Sequence, residues 1–256
     1  MSQQALMFAT YDNPLVLCES ADFDGTNDYM TRGASLTGAA DSKTGILSFW
    51  FRTDGGNGTD RTILMSATTL AGATPRFRLR HTAANTIGFI GVNAAGTIIL
   101  NLSSTTAYLA AATWYHCLSS WNLAVGGSQS LYITDVSDLT TTTFTDDTVD
   151  YTVADWAVGA QADGSTKYDG CLAELYFAPG QYLDFSNAYN RRKFISATSK
   201  PVSLGPTGSL PTGTAPIVYQ RIADGAAADT FDSNLGSGGD FTITGTLSLG
   251  STTPSD

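Results

Sequence analysis

The sequence predicts an all-β protein, an antiparallel β-sandwich with one short helix and extended terminal arms. Three observations carry this. Good surface helix formers are scarce: Glu19 and Glu174 are the only glutamates, and lysine occurs only at 43, 167, 193 and 200. Threonine, glycine, serine and aspartate abound, which suits strands joined by turns. Short apolar runs alternate with a period of two and end in turn formers.

Residues 1–20 read as an N-terminal arm that becomes a first strand, with Leu15, Val16, Leu17 and Cys18 as its apolar part. The sandwich is expected over 21–183. It opens with a hairpin whose turn, Asp24-Gly25-Thr26-Asn27-Asp28, combines tolerance of positive φ with side chains that bond their own backbone. In residues 46–51, Leu47, Phe49 and Phe51 share one face and Ile46, Ser48 and Trp50 the other. Both faces are largely apolar, so this strand is expected in the middle of a sheet. A glycine-rich turn at 54–60 leads to a strand at 62–67. Arg76, Arg78 and Arg80 then form a basic stripe, read as a solvated face or a contact surface. Further strands are expected at 87–92, 97–102, 114–121, 130–134, 155–160 and 170–177, with a polar loop or edge strand at 138–150.

The pattern then changes. Asp184 is placed to cap a helix over about 185–195, within a helical segment 184–198, and Arg191, Arg192 and Lys193 suit its C-terminal end. Residues 199–256 are rich in Gly, Pro, Ser and Thr. They read as an extended C-terminal arm, ending in a strand over 241–249, that lies over the sandwich or over a neighbouring subunit.

Composition excludes several function classes. A net charge of −10, carried almost wholly by aspartate, disfavours a nucleic-acid partner. No apolar run reaches the ~20 residues needed to span a bilayer, and the first residues carry no basic or apolar secretion signal. Three cysteines without CxxC spacing read as small buried thiols. Glycosidases of this architecture need an acid and a base or nucleophile flanking one bond, and Glu174 has no glutamate partner nearby, which leaves an aspartate-based pair as the one glycosidase alternative. His81 and His116 read as structural. No catalytic residue is expected.

Two binding chemistries remain. Clustered carboxylates and amides at turns fit either calcium or turns that bond their own backbone. The clusters are Asp24, Asn27 and Asp28; Asp54, Asn57 and Asp60; and Asp163 with Asp169. A glycan would stack on an exposed aromatic ring, and Trp156 beside Asp155, at a strand start, is the tryptophan expected to be exposed.

The chain also resembles a known family. Phe23-Asp24-Gly25 through Asp28-Tyr29, the run Ile46 to Phe51, Trp114-Tyr115-His116 with Leu131-Tyr132-Ile133, and Tyr168-Asp169-Gly170-Cys171-Leu172-Ala173-Glu174-Leu175 occur in the order seen in concanavalin A-like, laminin-G-like jelly rolls. These motifs cover about residues 20–180. The remainder, through Lys193-Phe194-Ile195, Pro211-Thr212-Gly213 and Asn234-Leu235-Gly236, resembles tails on such domains in tailed bacteriophages. The resemblance implies a non-enzymatic virion structural protein, a capsid decoration or head-fibre component made in the bacterial cytoplasm. Its expected partners are other virion proteins, copies of itself and a host-surface glycan. The alternative is a calcium-assisted carbohydrate-binding or adhesion module of a tail fibre or receptor-binding protein.

Overall fold

A computed structural model describes residues 14–66 and 77–256. Residues 1–13 of the expected arm, and Arg76 of the basic stripe, lie outside that range. The described residues form two eight-stranded antiparallel sheets packed face to face. The first runs Val136–Ser137, Gln129–Ile133, Tyr115–Asn122, Thr44–Thr53, Asp169–Pro179, Ala21–Asp24 and Ser248–Leu249. Val218–Gln220 also pairs with Asp169–Pro179. The second runs Thr140–Phe144, Ile98–Ser103, Ile87–Val92, Phe77–His81, Arg61–Ser66, Trp156–Val158, Tyr29–Arg32 and Thr242–Thr244.

Alternation decides what each sheet buries. In the central Thr44–Thr53 strand, Leu47, Phe49 and Phe51 enter the core between the sheets, with Phe77, Phe177, Trp121 and Trp156 from other strands. The register needs two bare backbone positions. A Cβ on Gly45 would stand 2.1 Å from the Trp121 ring. One on Gly170, at φ +150°, would stand 2.1 Å from the Arg52 carbonyl oxygen.

The outward side chains of the same central strand are covered too. Ile46 packs with Leu118, Tyr176, Phe185, Phe194, Val202 and Leu204, while Trp50 packs with Cys18, Ala173 and Ile195. The chain after Pro179 therefore folds back over the outer face of the first sheet as a third layer. Of the two placements expected for the C-terminal arm, this is the one over the chain's own sandwich. Its final residues form two strands, not one: Thr242–Thr244 joins the second sheet beside Tyr29–Arg32, and Ser248–Leu249 joins the first beside Ala21–Asp24. Gly245, at φ +86°, turns the chain between them.

The helix is shorter than expected. It covers Ala188–Arg191 and is capped by Asn187, whose side chain accepts from the Tyr189 amide. Asp184 instead closes a local turn by accepting from the Ser186 amide at 2.9 Å, and Phe185 is buried between the third layer and the first sheet. Among the described residues no helix is long and apolar enough to cross a membrane. The basic stripe is not a solvated face either. Arg78 is buried, and both it and Arg80 reach Asp60 Oδ2 at 2.9 Å.

Candidate functional site

The expected calcium residues are regrouped by the sheet. Asp24 pairs in register with Asp169, and Asp22 with Cys171, which faces Arg52 on the next strand. One aspartate from each expected cluster, Asp24, Asp54 and Asp169, is thereby gathered at one end of the first sheet. Asp22, which sequence reading passed over, joins them. Ligand atoms of Asp22, Asp54 and Cys171 lie within 4.8 Å of one another.

This acidic patch already holds a cation of its own. Arg52 donates from Nε to Asp54 Oδ1 and from Nη2 to Asp54 Oδ2, each at 2.7 Å, and Nη2 stands 3.2 Å from the Cys171 sulfur. Burial pushes the Cys171 thiol far up, so it stays protonated, and a thiol suits a hard cation poorly. Burial also raises the Asp169 carboxyl, with Asp54, Asp22 and Asp24 adding to the shift against the pull of Arg61.

The other expected ligands are occupied by the backbone or by partners. Asp24 Oδ1 accepts from the amides of Thr26, Asn27 and Asp28; burial is the largest single influence and pushes its carboxyl up, but these bonds together hold it below the usual range. Asp28 is buried and accepts from the Thr246 amide at 2.8 Å, while Asn57 Oδ1 accepts from the Ala110 amide. Asp60 binds the two arginines. Asp163 accepts from the amide and hydroxyl of Ser165 and turns its own loop, without joining Asp169. The turn reading fits these residues better than a cation cage.

Trp156 is not exposed. It is fully buried, packs 5.8 Å from Phe177, and its indole donates to the Val153 carbonyl at 3.0 Å. Asp155, at φ +60°, turns the chain so that Trp156 enters the sheet facing the core. The accessible tryptophan is Trp114. It precedes the Tyr115–Asn122 strand, and Tyr115 pairs with Phe51 on the core side, so Trp114 falls on the outer face beside Arg52. The Arg52 guanidinium lies 5.8 Å from its ring centroid, and its indole donates to Thr252 Oγ1 at 3.1 Å.

Trp114 and the edge of Trp50 line a cleft of about 280 Å³. Ser199, Lys200, Thr253 and Asp256 also line it. Aromatic surface ringed by hydroxyls and one charge of each sign suits a sugar, which offers an apolar ring face and a belt of hydroxyls. The expected exposure of Trp156 is not met, because its strand turns it into the core. The useful signal was the parity of Trp114 against Tyr115.

The polar pairs around Ser48 and Glu174 are sealed. Ser48 Oγ and His116 Nε2 share a hydrogen bond of 2.8 Å, but both residues are buried beneath the third layer. Glu174 sits in a bulge at φ +49°, where it meets Arg221 Nε at 3.1 Å and accepts from the Tyr219 hydroxyl at 2.7 Å. Burial is the largest influence on its carboxyl and raises it, against Arg221 and Tyr219. Neither set opens to a substrate.

Residues 24–179 match the family model described as the concanavalin A-like lectin/glucanases superfamily, of the laminin-G type. The chain belongs to that superfamily. Among curated proteins, none matches its sequence. The laminin-G-type sandwich is similar in fold to a presumed carbohydrate-binding protein from Bacteroides ovatus, with a TM-score of 0.58 and 12% identity over 93% of this chain. The match spans 60% of that protein's length. A heptameric pentraxin from Limulus polyphemus aligns over 91% of this chain and 94% of its own, at 10% identity and a TM-score of 0.49. The carbohydrate-binding module of a Ruminococcus gnavus sialidase, bound to α2,3-sialyllactose, aligns over 61% and 88%, at 16% identity and 0.41.

Proposed function

We propose that this chain is a non-catalytic carbohydrate-binding module, displayed on a bacteriophage particle as a capsid decoration or head fibre. The observation that carries the binding reading is the Trp114 cleft: a half-buried indole with hydroxyls and a Lys–Asp pair lining the same space. Superfamily membership supports the same reading, as does the Bacteroides ovatus fold relative. The particle setting rests on the likeness of the segments after residue 193 to phage tails.

A glycan array probed with wild type and with Trp114→Ala, each with and without chelator, tests the binding. At least one glycan should bind wild type and lose tenfold or more in affinity on substitution. Binding that ignores Trp114, or no binding at all, overturns the assignment to this cleft. Loss of binding with chelator alone would favour the calcium-assisted reading. Antibody labelling of purified particles tests the setting independently, and unlabelled particles overturn it.

A further inference from the structure

A second cleft lies at the other end of the Tyr115–Asn122 strand. It is bounded by the Gln129–Ile133 strand on one side and residues 182–186 on the other, with a volume of about 240 Å³. Tyr132, Tyr182, Gln129, Ser130 and Asp184 are its principal polar and aromatic lining. We infer that this cleft is a separate binding site for a single neutral sugar ring, an inference that rests on the carbohydrate reading above.

The walls are built and fixed. Ser120 Oγ donates to the Leu183 carbonyl at 2.8 Å and bonds Ser130 Oγ at 3.0 Å, locking the 182–186 segment to the sheet. Tyr132 is covered by the Arg191 guanidinium 4.5 Å from its centroid, and Arg191 is in turn held by Asp135 at 2.6 Å. Asp135 and Thr134, both at positive φ, form the two-residue turn that presents this carboxylate.

Within those walls stand groups that the fold leaves idle. Tyr182 is half-buried yet has no hydrogen bond or ring partner among the described residues. Asp184 spends Oδ1 on the Ser186 amide and leaves Oδ2 as an acceptor.

Charge sets the class of ligand. Asp184 is the single charged residue lining this cleft, so sugars bearing a carboxylate are repelled. The Trp114 cleft carries Lys200 and lacks that bias. Trp114 and Trp121 bracket the intervening strand, so the clefts are on the order of 20 Å apart and can fill together.

Calorimetry and ligand-detected NMR on the whole chain test this, with N-acetylglucosamine, galactose and N-acetylneuraminic acid as probes. In Trp114→Ala, at least one neutral sugar should still bind while N-acetylneuraminic acid does not. Adding Tyr182→Ala should weaken the neutral sugar tenfold or more, Tyr182→Phe should keep it, and Asp184→Asn should admit the acidic one. Melting curves confirm that each variant is folded. Loss of all binding on Trp114→Ala alone, neutral binding that ignores Tyr182→Ala, or continued exclusion of N-acetylneuraminic acid by Asp184→Asn overturns the second site and leaves the first standing. Failure of wild type to bind any sugar, on the array or in solution, overturns both.

Discussion

Arg52 grips Asp54 through two parallel hydrogen bonds of 2.7 Å, in a patch where Asp22, Asp24 and Asp169 also converge. A guanidinium covalently tied to the sheet takes the place that a bound cation would have. Millimolar calcium and chelator should therefore leave the melting temperature of wild type unchanged to within about 1 °C. Arg52→Met should cost about 2 kcal/mol and make the melting temperature rise with calcium. A calcium-dependent rise in wild type would sink this account.

The tryptophans separate stability from recognition. Trp156→Ala empties a fully buried core position and should destabilise the fold by about 3–5 kcal/mol, measured by denaturant unfolding. Glycan affinity of the folded fraction should be unaffected. Trp114→Ala should do the reverse, with a stability cost of about 1 kcal/mol and loss of affinity. Equal effects of the two substitutions on affinity would contradict the division.

Gly170 offers a backbone test. Alanine there drives a methyl group into the Arg52 carbonyl across the sheet, and the backbone neighbour cannot swing away. Gly170→Ala should cost more than about 3 kcal/mol. Gly126→Ala, where nothing lies near the added carbon, should change stability by less than about 0.5 kcal/mol.

The pH dependence of stability should carry the mark of His116. Burial lowers its pKa to about 3, so the folded chain refuses a proton that the unfolded chain takes up below about pH 6.5. Its contribution is complete above the unfolded value and is lost as pH falls from there toward 3, by up to ~1.4 kcal/mol per pH unit. Asp28, Asp169 and Glu174, raised by burial, act with the opposite sign as pH rises from the unfolded carboxylate value. The readout is thus the difference between wild type and His116→Gln, measured from pH 7 to 4. A constant difference across that range would show that His116 is not the group.

The strands were largely legible because their signal is local. Alternation over residues 46–51 foretells a central strand covered on both faces. Partnership across long separations was not legible. Asp54 and Asp24 each sat among ordinary turn formers, and only strand register brings them beside Asp169 and Asp22. The same holds for Trp156 against Trp114, whose burial depends on which sheet each joins. The expected helix failed because Asp184 and Asn187 are both competent caps, and packing of Phe185 favours the later start.

The pairing of Ser248–Leu249 with Ala21–Asp24 has a consequence for how the molecule is made. Ser248 Oγ reaches Asp22 across 226 residues of sequence. A ribosome delivers the chain from its N-terminal end, so the Ala21–Asp24 edge waits, uncovered on that side, until Ser248–Leu249 has emerged more than two hundred residues later. Contacts of such separation form late and slowly. During that interval the open edge is a template for strands of other nascent copies, and the short, threonine- and glycine-rich closing segment is what must win the competition.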